Sequence, residues 1–265
     1  MSSEKLKIGV FDSGLGGLTV VKALKKVVKG AELFYIADTL HAPYGEKTSS
    51  EILQYSLDIT QYFITHHQID ALIIACNTAT SAAIKTLRKK HPELIILGTE
   101  PGVKPAIKHT KTGNVGVLAT PATLRGEKYQ QLVDTFAYGE TICLHEQACP
   151  GLVEQIEKGD VNSVKIKEML SVWLEPMKKN NVDTIVLGCT HYPLVSERIK
   201  TIMQREVHLV ETGDAIAKHL LTCAKSKDHD NSGDLAINLY TTGTINLDAV
   251  KTLFVQNTKM HSITI

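Results

Sequence analysis

Short, almost continuous apolar runs recur along the first hundred positions, and the segments between them carry helical spacing. Lys7-Ile8-Gly9-Val10-Phe11 reads as a strand, followed by a glycine-rich turn and a helix from about Leu18 to Val28. Residues 32–37 form a second strand. A helix follows from Ser49 to about His67, with Ile52, Leu53, Leu57, Ile59 and Phe63 near one face. Residues 69–75 form a third strand, a helix runs from about Thr80 to Lys90 and is ended by Pro92, and residues 94–98 form a fourth strand. Strands that are apolar throughout, rather than alternating, predict a parallel sheet covered on both faces.

The scheme then repeats. Asn114 to Thr120 resembles Lys7 to Ser13 at an offset of 107, and Cys189 follows Cys76 at an offset of 113. Each cysteine closes an apolar, β-branched run. This predicts an internal duplication: an α/β protein of two pseudo-symmetric parallel-sheet domains with the active site at their interface. The first would comprise 1–98 plus 210–265, the tail returning with helix material at 214–224 and strand material at 235–240. The second would comprise 99–209. The polar stretch 226–233 reads as a surface loop.

Composition narrows the function classes. A net charge of +1 over 265 residues supplies no basic field for nucleic acid or an anionic membrane. The apolar runs are shorter than the ~18–20 residues a spanning helix needs. The first residues lack the apolar stretch of a signal peptide, so a cytoplasmic location is expected. The five cysteines (76, 143, 149, 189, 223) are scattered and odd in number, as expected of free thiols in a reducing compartment.

Two patterns carry the candidate chemistry: Ala75-Cys76-Asn77-Thr78-Ala79 and Gly188-Cys189-Thr190-His191-Tyr192-Pro193. Sites in open α/β sheets form beyond the carboxyl ends of strands, where both cysteines are expected. A thiol near a helix N-terminus is favoured as thiolate. One such cysteine is more often a core residue; two in matching positions suggest an acid and a base facing each other across a carbon. Cys143, Cys149 and Cys223 lack this setting. Asp12-Ser13-Gly14-Leu15-Gly16-Gly17 opens a helix and suits a phosphate or a carboxylate, but it lacks the GxGxxG spacing and the Gly-Lys-Ser/Thr ending. Asp12 is placed to bind an ammonium or to poise Cys76. Pro43-Tyr44-Gly45 is either a rigid presenter of backbone N–H groups or a plain turn. His191 is a candidate proton carrier beside Cys189. Without a CxxC or a second Cys/His pair, no metal is expected.

Together the segments Val10–Val20, Pro43–Gly45, Ala75–Ala79 and Gly188–Leu194, in that order, resemble the glutamate racemases of the aspartate/glutamate racemase family. The resemblance implies a cofactor-independent interconversion of L- and D-glutamate that supplies D-glutamate for peptidoglycan. It implies Cys76 and Cys189 as proton donor/acceptors, the first working on the D- and the second on the L-enantiomer. Asp12, Ser13, Tyr44, Gly45, Asn77, Thr78, Thr190 and His191 match substrate-contact positions, and Thr120 and Thr123 fit a threonine pair lining the pocket. Asp12, His191 and Glu154 match residues that assist catalysis. Gly126 stands where many members carry a serine. A homodimer and an activating cell-wall precursor, as in some relatives, are left open. Competing readings are a racemase for aspartate or hydantoins, a thiol-disulfide oxidoreductase and a nucleotide-binding module using the Asp12–Gly17 loop.

Overall fold

The structure is a computed structural model that describes residues 5–136, 142–225, 229–253 and 260–265. Its elements in chain order begin with β1 (Leu6–Asp12), α1 (Leu18–Val27), β2 (Ala31–Ala37), α2 (Ser49–His67), β3 (Ala71–Ile74), α3 (Asn77–Lys90) and β4 (Ile95–Gly98). Then come α4 (Val103–His109), β5 (Asn114–Ala119), α5 (Pro121–Arg125), α6 (Glu127–Phe136), β6 (Cys143–Ala148), α7 (Leu152–Glu157), α8 (Val164–Lys179), β7 (Thr184–Gly188), α9 (Ser196–Met203) and β8 (His208–Val210). The chain ends with α10 (Gly213–Ala224), β9 (Leu235–Thr241), α11 (Leu247–Leu253) and β10 (Met260–Ser262). Of the polar stretch 226–233, residues 226–228 lie outside the described residues, and the rest is largely exposed.

Two parallel-sheet α/β units result. The strand orders are β10-β9-β2-β1-β3-β4 and β6-β5-β7-β8. The run β2-β1-β3-β4 and the second sheet share one topology, so the repeat is structural as well as sequential. Its register is retained too. Ile8 lies opposite Ala71, and Val115 lies opposite Thr184. These partners are offset by 107 and 113 residues, the same two offsets that relate the sequence motifs. The returning tail adds β9 beside β2, pairing Ala31 with Leu235 through Ala37 with Thr241.

The buried strands β3 and β7 explain the continuous apolar runs, because every residue of each is buried. Each is preceded by an aspartate in the same place. The Asp70 carboxylate accepts the Lys7 N–H at 2.9 Å. Asp183 accepts the N–H groups of Lys111 and Thr112 at 2.8 and 2.9 Å and the Thr110 hydroxyl at 2.6 Å. α2 opens with a reciprocal capping box between Thr48 and Glu51. Among the described residues no helix is long and apolar enough to cross a membrane.

α3 starts at Asn77 rather than near Thr80, with Cys76 itself as the N-cap. Asn and Thr are poor in helix interiors, but a first turn tolerates them because its N–H groups have no intrahelical acceptor.

Asp183 ties the linker entering β5 to the start of β7. Burial raises its pKa, but hydrogen bonds from Thr110, Lys111 and Thr112 outweigh that and hold it below the usual carboxylate range. Asp183→Ala is expected to lower unfolding free energy by about 2–3 kcal/mol in urea titrations near neutral pH. The native pKa is the depressed one, so this stabilisation is present above the unfolded value of about 4 and fades on acidification below it. A deficit that stays constant down to pH 2 would refute the assignment.

Candidate active site

The carboxyl ends of β1, β3, β5 and β7 converge where the two units meet. Cys76 leaves β3 with extended backbone (φ −144°, ψ 120°) and caps α3, and it is buried. The helix N-terminus does not dominate its chemistry. Burial pushes the Cys76 thiol well above its ordinary value, and the neighbouring Asp12 carboxylate pushes it further, against the opposing Ala79 N–H. The structure therefore holds Cys76 as a thiol. Cys189 is close enough to contribute to the same effect.

Cys189 has a different setting. It is followed by Thr190, His191 and a short 3₁₀ turn over Tyr192–Val195, so it does not sit at the start of an α-helix. Its partner is a side chain: His191 Nδ1 lies 3.7 Å from Cys189 Sγ. The other ring nitrogen, Nε2, lies 2.6 Å from Glu157 Oε1. Burial opposes a charged ring, but Cys189 and Glu157 on either side outweigh it and raise the His191 pKa well above the ordinary value. The ring is thus an imidazolium donating Nε2–H to Glu157 and turning Nδ1–H toward the thiol. Cys189 Sγ thus faces a charged donor where Cys76 faces a carboxylate.

Glu157 is the residue that the sequence reading missed. Glu154, expected to assist catalysis, feels the His191 charge, while the hydrogen bond to that ring is made by Glu157. Glu154 lies half-buried on α7, paired with Glu46 across a narrow cleft, and burial followed by that pairing raises its pKa. Glu157 is one helical turn further along α7, and this i, i+3 relation was the available signal.

The glycine-rich loop is also spoken for. Asp12 is fully buried and accepts the Gly17 N–H at 2.7 Å. Glu157 accepts the Leu15 N–H at 2.7 Å, and the Gly16 N–H lies 3.2 Å from His191 Nε2. Glu157 and Asp12 thus already occupy the Leu15 and Gly17 N–H groups that a phosphate would use. The loop is a frame for Asp12, Glu157 and His191. A methyl group at Gly14 would collide with the Glu157 carboxylate, and one at Gly16 with the His191 ring. Asp12 Oδ1 is buried with no hydrogen-bond partner, and burial raises the Asp12 pKa despite His191 nearby. The Thr190 hydroxyl lies 3.5 Å from Asp12 Oδ2.

The walls come from both units. The hydroxyls of Thr78, Thr120 and Thr123 form a ring: Thr78 to Thr120 at 3.0 Å, Thr78 to Thr123 at 3.3 Å and Thr120 to Thr123 at 2.9 Å. Gly45 packs against Thr120 across the same boundary, and Tyr44 is buried behind it with its phenol donating to Asp38. Ser13 and Asn77 are buried beside the cysteines' strand ends, with Asn77 Nδ2 donating to Thr99 O at 3.3 Å. At Gly126 the Ser81 hydroxyl from α3 occupies the space a side chain would need, so a hydroxyl is retained there from a different element. Cys149 is buried with its thiol pushed up to about 12 by burial, Cys143 is exposed and Cys223 half-buried. Among the described residues, no cluster of three His, Cys, Asp or Glu side chains suits a metal ion.

Comparison with known proteins gives a consistent picture. The family model described as Asp/Glu/Hydantoin racemase matches residues 8–220. The chain is 63% identical over 246 residues to a glutamate racemase of Sulfurovum sp. (strain NBC37-1), covering 93% of each chain. It is 58% identical to one of Aliarcobacter butzleri (strain RM4018), covering 94% of this chain and 95% of the relative. Among solved structures it resembles a glutamate racemase isoform of Bacillus anthracis at 27% identity and a TM-score of 0.85, covering 99% and 98% of the two chains. It also resembles Escherichia coli glutamate racemase in complex with L-glutamate and activator UDP-MurNAc-Ala, at 25% identity and a TM-score of 0.85, covering 98% of this chain and 99% of that one.

The close approach of the loop to His191 generates a test. Gly16→Ala should lower turnover by about 100-fold, because displacing a positioned group by an ångström has roughly that effect, with the circular dichroism spectrum unchanged. Turnover near wild type would show that the ring's position is not critical.

Proposed function

The chain belongs to the Asp/Glu/Hydantoin racemase family, and from that premise we propose that it interconverts L- and D-glutamate by moving a proton between two thiols, Cys76 and Cys189. It is an amino-acid racemase, as its close relatives are named. The observation that carries the mechanism is the pairing of two buried cysteines from equivalent strand ends with unlike partners. Cys76 is held as a thiol beside Asp12, and Cys189 faces an imidazolium.

The α-proton of an amino acid is weakly acidic. One thiolate must remove it while the opposite thiol delivers another to the other face. In the L-to-D direction Cys189 acts as the base, facing the His191 ring that Glu157 holds, and Cys76 acts as the acid. The reverse direction requires a thiolate at Cys76. Asp12, whose own pKa is raised by burial, is then the group that takes the Cys76 proton. The partnerless Asp12 Oδ1 suits a substrate ammonium. The carbanion is the demanding species, and with no electron sink its charge is met by preorganised donors. The proposed donors are Ser13, Asn77, Thr78, Thr190 and the backbone at Tyr44 and Gly45, with Thr120 and Thr123 completing the wall. No cofactor or metal is required by this scheme.

The two sheets support a division of the chain into 1–98 plus 210–265 and 99–209, one cysteine from each domain. The proposed physiological role is supply of D-glutamate for peptidoglycan in the cytoplasm. An activator related to a cell-wall precursor and a homodimer are further parts of the reading, the former supported by the E. coli complex. Preference for glutamate over aspartate rests on the names of the close relatives.

The direct test is L-glutamate with purified protein in deuterium oxide, followed by circular dichroism and α-proton NMR. Loss of optical signal with deuterium incorporation is expected; neither event, from either enantiomer under reducing conditions, would reject racemisation. Cys76→Ser and Cys189→Ser should each retain less than about a tenth of wild-type turnover while still binding substrate. Retention above that level by either would reject the two-thiol assignment.

The raised His191 pKa sets the pH dependence. For L-glutamate, kcat/KM should not fall as pH rises through the ordinary histidine value of about 6.5, and should fall only at higher pH. Glu157→Gln removes a carboxylate that holds the imidazolium, so the alkaline limb should move to lower pH. An unmoved limb would separate Glu157 from His191 titration.

A further inference from the structure

Asp38 is buried, at 1% exposure, just beyond the end of β2, and the proton transfers above do not use it. Its backbone N–H donates to Asp12 O at 2.8 Å, which fixes it to the catalytic strand. Its carboxylate gathers three side chains. The Tyr44 hydroxyl donates at 2.5 Å, the Thr242 hydroxyl at 2.7 Å, and His41 Nδ1 lies 3.0 Å from both oxygens. The His41 ring is in turn stacked 4.0 Å from the Tyr55 ring of α2.

These contacts close a strap. Residues 38–45 leave the first sheet at Asp38 and return to the cleft at Gly45, which rests against Thr120 of the second unit. The returning tail braces the strap's base: Thr39 and Thr241 hydroxyls are 2.8 Å apart, and the Leu40 N–H donates to the Thr242 hydroxyl at 3.1 Å. The Tyr44 phenol is consumed by Asp38. Substrate therefore meets the strap's backbone, and the phenol serves as the strap's anchor. A charged acceptor holding several donors is stronger and more directional than a neutral one.

We propose that Asp38 is a positioning residue that, through the Tyr44 phenol, sets where the strap's backbone meets the substrate at Tyr44 and Gly45. The inference rests on the racemase reading, because the strap's proposed partner is the bound amino acid. It also gives the C-terminal tail a part in substrate binding, through Thr242.

The experiment is steady-state kinetics on L- and D-glutamate for wild type, Asp38→Asn, Tyr44→Phe and the double variant, with thermal melts alongside. The expected result is a rise in KM of about tenfold or more for each single variant, with kcat changed less than about threefold. The double variant should be no worse than the poorer single variant, because both substitutions break one linkage. A fall in kcat at unchanged KM, multiplying effects in the double variant, or wild-type kinetics for Asp38→Asn would overturn the proposal. A loss of melting temperature without a KM change would assign Asp38 to stability alone and overturn it too. If Asp38→Asn fails to fold, Thr242→Val decides: a KM rise of about threefold supports the proposal and an unchanged KM overturns it. Wild-type protein inert on both enantiomers would reject the racemase reading, and this inference with it.

Discussion

The interaction on which the rest of the centre depends is the Glu157–His191 pair, which meets the glycine-rich loop of one unit and Cys189 of the other. Burial by itself favours the neutral form of a thiol. The structure breaks the symmetry with neighbours. A carboxylate beside Cys76 opposes its ionisation, whereas Cys189 faces the His191 imidazolium. The imidazolium in turn would be costly to bury unless paired, which is the work of Glu157. A duplicated scaffold thus supplies two equivalent positions, and non-equivalent side chains around them supply the difference.

The Glu157–His191 pair explains the glycine-rich loop better than anion binding does. His191 and Glu157 come from the second unit and approach the loop of the first so closely that Gly14 and Gly16 admit no side chain. The Leu15 N–H contributes a hydrogen bond to Glu157 across the interface. The loop is therefore part of the interface that stabilises the imidazolium, and the docking of the two units sets what Cys189 faces.

The wall shared by the two units is built on the same principle of rigid support from outside. The ring of three threonine hydroxyls spans both units, and the strap ending at Gly45 closes on Thr120. Asp38 holds that strap to β1 and to the returning tail. The returning tail takes part as well, since its turn at 241–243 lies against the strap's base. Preorganised groups in such a setting stabilise a developing charge without first having to reorganise.

Local patterning along the chain determined most of the architecture. Continuous β-branched runs specify buried parallel strands, and the offsets of 107 and 113 residues turn out to be the register of two copies of one strand pair. The two cysteines were legible because each ends such a run, where an α/β sheet places its chemistry. What local pattern does not encode is which side chains from distant segments become neighbours. Glu157 rather than Glu154 reaches His191 because the end of α7, not its first turn, is docked against the glycine loop. Ser81 fills the space beside Gly126 because α3 packs on α5, and Asp38 gathers Tyr44 and Thr242 from positions six and 204 residues away. The Cys76 thiol is held protonated by burial and Asp12, although its place at a helix N-terminus argued for a thiolate. Periodicity and spacing report on contacts within one element. Burial, charge pairing and steric exclusion between elements exist only once the two units have closed on each other.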